Sequence, residues 1–276
     1  MSEAESKSPS GGPSRIHRLL NEAGLPAATH AAVTSLKIEN VEKRYGETVA
    51  LTGADVDFAH GVHTILGENG SGKSTMLKIL SGVVSPTAGS VILNGTPIRA
   101  GSPADMKALG LSTVFQEVLI APHRSVVENI FLGYDSLLNR KVSKATREKA
   151  AQAVLSVIAR FPIDLDEPAG NLPLAAQQLV VIARALIARP SILLLDEATA
   201  ALDYADRDLV FEMIEDYAAS GNFVIFISHR LEEVKRLSDR VTVLRSGKLI
   251  QTLQREQINS QLLLELMAPE AHLHVE

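Results

Sequence analysis

His63-Thr-Ile-Leu66-Gly67-Glu68-Asn69-Gly70-Ser71-Gly72-Lys73-Ser74-Thr75 is the stretch that decides the fold. A short apolar strand runs into a glycine-rich loop, and a lysine–hydroxyl pair then opens a helical pattern. This matches G-x-x-x-x-G-K-[ST] in the strand–loop–helix setting that its chemistry requires. The glycines let backbone N–H groups of residues 70 to 75 converge on phosphate oxygens, helped by the positive end of the helix that follows. Lys73 is placed to reach the β- and γ-phosphates, and the Ser74 hydroxyl to ligate Mg²⁺. The stretch predicts a nucleotide-binding chain.

Around it the patterning splits in two. Upstream, Ser35 to Val41 and Val49 to Phe58 alternate as half-buried strands, and just downstream Ser90 to Leu93 closes on the Asn94-Gly95 turn pair. This opening section is rich in strands, many of them expected to be antiparallel. Val126 to Leu132, Lys144 to Phe161 and Ala175 to Arg189 then carry apolar residues at helical spacing, the last stopping at Pro190. The second half alternates strand and helix: Ile192 to Leu195, Ala205 to Ala219, Phe223 to Ile227, Leu231 to Leu237, Val241 to Leu244. Its strands are almost wholly apolar, as in a parallel sheet covered on both faces. The expected fold is α/β, with a mostly parallel core sheet, an antiparallel β subdomain and an inserted helical subdomain.

Ile192-Leu-Leu-Leu-Asp196-Glu197 ends an apolar strand in two carboxylates. In a phosphate-loop protein a strand-end Asp beside the loop holds the Mg²⁺ shell, and the next carboxylate is placed to polarise an attacking water.

With Gln116, Ala200-Ala201-Leu202-Asp203 and His229, these residues make the chain resemble an ATP-binding cassette (ABC) domain over about residues 35 to 268. The resemblance implies an ATP hydrolase that uses Mg²⁺. It puts Tyr45 on adenine, Gly67 to Thr75 on the phosphates, Gln116 on the metal beside Ser74 and Asp196, and His229 on the γ-phosphate. Glu197, His229 and Lys73 are then the catalytic set, and Asp203 lies in the D-loop that crosses a dimer interface. Gln116-Glu117, Glu128 to Gly133, Ala176-Gln-Gln178 and Ile227 to Val234 look like ATPases that power import of ribose, galactose or xylose. The implied partners are a second cassette, integral membrane permease subunits and, through them, a solute-binding protein. The implied location is the inner face of the cell membrane, on the cytoplasmic side.

The chain departs from that family at one loop. The Leu-Ser-Gly-Gly-Gln signature should precede the third middle helix, but its place holds Leu172-Pro173-Leu174-Ala175-Ala176. In the family this loop caps the γ-phosphate of ATP bound to the opposite subunit. Pro173 removes a hydroxyl and an N–H, Leu174 adds bulk, and the loop should cap poorly. A homodimer would then hold two defective sites, whereas a partner with an intact signature would complete one. The alternative expectation is a nucleotide-gated interaction or regulatory subunit with little turnover. Ala198 also stands where a proline usually follows the catalytic glutamate.

Composition bounds the rest. Hydrophobic residues at 46% and charged residues at 21% are ordinary for a globular chain of 276 residues. No apolar run nears the roughly 18 residues of a membrane helix, the N-terminus lacks the pattern of a secretory signal, and without cysteine no disulfide framework is expected. A net charge of −5 disfavours a nucleic-acid partner. Without heptads between Thr75 and Leu172, a chromosome or repair ATPase with a coiled-coil insertion is disfavoured too. Residues 1–33, rich in Ser, Gly and Pro at their start, are expected to form a flexible tail, with a short helix over Arg15 to Ala23 as the alternative. Residues 34–268 make one domain and 269–276 a C-terminal tail, with a helix expected over Glu256 to Met267.

Overall fold

In a computed structural model, residues 12–98, 101–134 and 142–268 are described. Strands β1 (Leu36–Tyr45) and β2 (Thr48–Phe58) pair antiparallel, and β4 (Ala88–Leu93) and β5 (Thr96–Ile98) extend them into a sheet of order β2-β1-β4-β5. The β4–β5 turn is the expected Asn94-Gly95 pair. Both residues take positive φ, 51° and 75°, as a two-residue hairpin matched to right-handed strand twist demands.

The second sheet contains β3 (Gly61–Leu66), β6 (Leu111–Val114), β7 (Ile192–Asp196), β8 (Phe223–Ile227), β9 (Arg240–Arg245) and β10 (Lys248–Gln254), in order β10-β9-β3-β8-β7-β6. Its pairs are parallel except β9 with β10. Side chains along β7 and β8 go alternately to opposite faces. Leu193, Leu195, Val224 and Phe226 join a helical core, whereas Ile192, Leu194, Phe223 and Ile225 join the core under the antiparallel sheet. That two-sided burial is why these strands read as continuous apolar runs.

Helix α2 (Lys73–Leu80) follows β3, and α3 (Pro103–Ala108) precedes β6. Between β6 and β7 lie α4 (Val126–Ile130), α5 (Lys144–Ile158) and α6 (Leu174–Ile187), the inserted helices. Ser125 starts α4 with a reciprocal cap: its hydroxyl accepts from the Glu128 N–H at 3.3 Å, and its own N–H donates to the Glu128 carboxylate at 3.2 Å. Helices α7 (Tyr204–Ala219), α8 (Leu231–Leu237) and α9 (Ser260–Met267) complete the chain. The helix expected over Glu256 to Met267 is divided: a 3₁₀ turn covers Arg255–Gln257, and Asn259 caps α9 by accepting from the Leu262 N–H at 2.9 Å.

The expectation of a flexible tail over residues 1–33 is corrected from residue 12 onward. Ser14 caps a helix, α1 (Arg15–Glu22), whose Ile16 and Leu20 are buried against α5 and α7. The Arg15 N–H donates to Asp216 at 2.7 Å, and the Arg189 guanidinium donates to Asn21 Oδ1 at 2.7 Å and the Leu25 carbonyl at 2.8 Å. Ile16 and Leu20 sit at i, i+4 spacing and share one helix face, a signal outweighed by the polar residues around them. Residues 1–11 and 269–276 lie outside the described residues.

Candidate functional site

Open α/β sheets bind ligands beyond the carboxyl ends of their parallel strands, where connections diverge. Register collects the predicted residues at that edge. Asp196 pairs with Ile227, Ile227 with Ile65, and Leu195 with Val114. Glu197, His229, the Gly67 loop and Gln116 therefore leave the sheet side by side.

The phosphate loop is held by close backbone approach. Gly72 has φ +107°, and a Cβ there would stand 2.7 Å from the Ala50 carbonyl of β2. At Gly67 a Cβ would collide with the Leu244 carbonyl and the Ser71 hydroxyl. Gly72 caps α2 with no side-chain acceptor for the first-turn N–H groups. The buried Lys73 ammonium donates to the Gly67 and Glu68 carbonyls, both at 2.8 Å. Burial lowers its pKa, while Glu197, Asp196 and Glu68 oppose that shift. The buried Ser71 hydroxyl has no hydrogen-bond partner. Glu68, Asn69, Gly70 and Ser74 are exposed, and Thr75 is half-buried.

Asp196 is buried at the end of β7. Desolvation first, then the neighbouring Glu197 charge, pushes its carboxyl up to about 6, with Lys73 and Lys78 opposing. Glu197 sits in the left-handed region at φ +47°, a conformation that costs a non-glycine residue about 1 kcal/mol. Its N–H donates to the Ile227 carbonyl at 3.0 Å, which ties the ends of β7 and β8 together. Its carboxylate accepts from Gln116 Nε2 at 3.3 Å and contacts His229 Nδ1 at 2.8 Å. An ionised carboxylate only accepts, so Nδ1 carries the imidazole proton in this pair.

Lys73, Asp196, Glu197, Gln116 and His229 are thus brought together. Others stand apart. Tyr45 is half-exposed at the end of β1, with the Lys43 ammonium 5.1 Å from its ring centre. Asp203 caps α7, accepting from the Asp206 N–H at 2.8 Å. Pro173 occupies the cap of α6 without a side-chain hydrogen bond, Leu174 is exposed, and Gln177 Nε2 closes back on the Leu172 carbonyl at 2.8 Å. Ala175 and Ala176 begin α6, and Ala198 is buried. Glu233, beneath the Glu197–His229 pair, falls inside the Ile227 to Val234 stretch but was given no role from the sequence; its signal is an acid beside the apolar Val234 and Leu237 of α8.

The donors suit a nucleoside triphosphate. An orphaned hydroxyl, uncapped helix N–H groups and a buried ammonium surround a loop in which Gly67 and Gly72 leave no room for a side chain. Among the described residues no group of three or more His, Cys, Asp or Glu is arranged to hold a metal. The hydroxyl of Ser74, the amide oxygen of Gln116 and the carboxylate of Asp196 are hard oxygen donors of the kind Mg²⁺ takes, and would be the residues to hold it.

Comparison with known proteins agrees. The chain is 42% identical over 224 residues to the ribose import ATP-binding protein RbsA 2 of Rhizobium meliloti, across 79% of this chain and 43% of that protein. It is 38% identical to the ribose import ATP-binding protein RbsA 3 of Rubrobacter xylanophilus, across 84% and 47% respectively. The chain therefore spans less than half the length of these relatives. A crystal structure of a nucleotide-free ATP-binding cassette from an ABC transporter superposes with TM-score 0.72 at 26% identity, covering 86% of this chain and 99% of that one. A dimeric bacterial ABC transporter cassette gives TM-score 0.72 at 26% identity, covering 80% and 98%. The family described as ABC transporter matches residues 51–200, more than half of the chain, and so the chain belongs to the ABC transporter family.

Proposed function

We propose that the chain is an ATP-binding and ATP-hydrolysing subunit that energises solute import through a membrane transporter, with a monosaccharide of the ribose type as cargo. The observation that carries this reading is the contact of Gln116, Glu197 and His229 at the sheet edge, beside Lys73 and Asp196. The likeness to ribose import ATP-binding proteins supports the sugar class.

Tyr45 offers a ring for adenine to stack on. Residues 67–75 bind the phosphates through backbone N–H groups, and Lys73 neutralises the β- and γ-phosphate charge. Bound Mg²⁺, held by Ser74, Gln116 and Asp196, would supply further charge neutralisation on the phosphate oxygens. Glu197 accepts a proton from the water that attacks the γ-phosphorus, and the bond to the β-phosphate oxygen breaks. His229 holds the Glu197 carboxylate by donating from Nδ1–H.

The site requires a partner. Asp203 marks the loop that faces a second cassette, whose signature caps the γ-phosphate from across the interface. Leu172–Ala176 of this chain is a degenerate signature, because Pro173 and Leu174 replace donors that are each worth about 10²–10³ in rate. A partner cassette with an intact signature is preferred over a second copy. Among the described residues no helix is long and apolar enough to cross a membrane. The place proposed from the likeness to import ATP-binding proteins is peripheral, against permease subunits on the cytoplasmic face, with a solute-binding protein acting through the permease. The same degenerate loop favours a second reading, a nucleotide-gated interaction subunit with little turnover.

A nucleotide titration tests the binding half. Lys73→Ala is expected to weaken ATP binding by at least about 100-fold; unchanged affinity would refute the site.

A further inference from the structure

Beneath the Glu197–His229 pair lies a buried carboxylate. Glu233, on the first turn of α8, is 4% exposed. Its Oε1 accepts from Thr199 Oγ1 at 3.2 Å and from the Arg230 guanidinium at 3.3 Å, and its Oε2 accepts from Ser228 Oγ at 2.7 Å. Ser228 Oγ in turn accepts from the Arg230 N–H at 3.0 Å. Thr199 and Ser228 are both buried.

The sequence positions of these partners give the network its meaning. Thr199 lies two residues after Glu197, in the turn closed by the Ala200 N–H on the Glu197 carbonyl at 3.0 Å. Ser228 immediately precedes His229. One carboxylate therefore joins the loop leaving β7 to the loop leaving β8, just below the bond between their functional side chains. A buried charge is costly unless every lone pair is used, and an apolar residue would fill the same space without that cost. What the carboxylate adds is direction: two hydroxyls held at fixed positions on two loops that carry no regular structure of their own.

We propose that Glu233 is a positioning residue, which fixes the separation of the β7 and β8 loops so that His229 Nδ1–H meets the Glu197 carboxylate. It touches neither nucleotide nor reacting atoms and acts through those two residues. The inference rests on the roles given to Glu197 and His229 under the proposed function.

The test reads the imidazole directly, by nitrogen NMR of the full chain labelled at its histidines, with the His229 signals assigned by their loss in His229→Ala. In the native chain His229 should be the Nδ1–H tautomer. In Glu233→Ala this signature should give way to the Nε2–H form that free imidazole side chains prefer, and Glu233→Gln should restore it by keeping one acceptor oxygen. Ser228→Ala, which cuts the same tie from the other side, should reproduce the loss even where Glu233→Ala fails to fold. ATP affinity should stay within about twofold, since the phosphate loop is untouched, and kcat in a turnover-competent pairing should fall by roughly tenfold at constant KM. An unchanged His229 tautomer in Glu233→Ala or Ser228→Ala overturns the proposal. So does a parallel loss of ATP affinity and melting temperature in Ser228→Ala, which would make the tie merely structural. The expected tautomer change without turnover in any pairing would instead refute the ATPase reading and leave the positioning role standing.

Discussion

In the proposed function, Glu197 concentrates the chemistry of the site in one side chain. Its backbone is held at positive φ by the bond to Ile227, and its carboxylate is shared by Gln116 and His229. Such local cost persists where surrounding structure over-determines it, and it aims the carboxylate away from the sheet. Glu197→Gln keeps the shape and the phosphate loop but removes the proposed proton acceptor. ATP binding should survive and phosphate release should fall by about 10²-fold or more; unchanged turnover would refute Glu197 as the base. His63 makes a separate prediction in the core. It is buried in β3, with Nε2 on Thr242 Oγ1 at 2.7 Å and Nδ1 without a partner. Burial, with a smaller contribution from Arg240, lowers its pKa from 6.5 to about 3. Between those values the unfolded chain binds the proton and the folded chain does not, so stability is present above 6.5 and is lost as pH falls towards 3. The slope is about 1.4 kcal/mol per pH unit. His63→Leu leaves Thr242 its second hydroxyl partner, Thr252, at 2.8 Å. Urea midpoints should show the native chain losing about 2 kcal/mol more than this variant between pH 7 and pH 5; equal losses would contradict the assignment.

At the scale of elements, α1 is a structural part of the domain. Leu20 is fully buried between α5 and α7, and Leu20→Ala should cost about 2–5 kcal/mol in chemical denaturation. A cost near zero would mean that the helix is not docked in solution. Restoring the loop before α6 by Pro173→Ser with Leu174→Gly and Ala175→Gly should raise turnover, and no rise would mean that this loop does not limit the rate. What the sequence revealed follows from how local each signal is. The phosphate loop and Asp196-Glu197 are each contiguous, and β7 up to Leu195 and all of β8 are apolar, so these were readable. β6 was not: Leu111-Ser-Thr-Val has only two apolar residues, and as the edge strand it pairs with β7 alone. The burial of α1 depends on helices more than a hundred residues away in sequence, and Glu233 is defined by loops that only the fold brings together.

For the whole molecule, a two-faced sheet presents one edge on which the loops after β3, β6, β7 and β8 meet. Under the proposed function, that edge supplies the groups for one side of a nucleotide site. In the proposed reading, the surface that would complete a partner's site is the degenerate Leu172–Ala176 segment. The asymmetry makes the chain a donor of catalytic groups and a poor acceptor of that role in return. The most direct test is Mg²⁺-ATP turnover by the purified chain alone, with Glu197→Gln as the blank. The expected result is ATP binding with little turnover, raised when a cassette carrying an intact signature is added. Brisk turnover by the chain alone, lost in Glu197→Gln, would contradict it and show that Leu172–Ala176 caps ATP well enough for a homodimer to work.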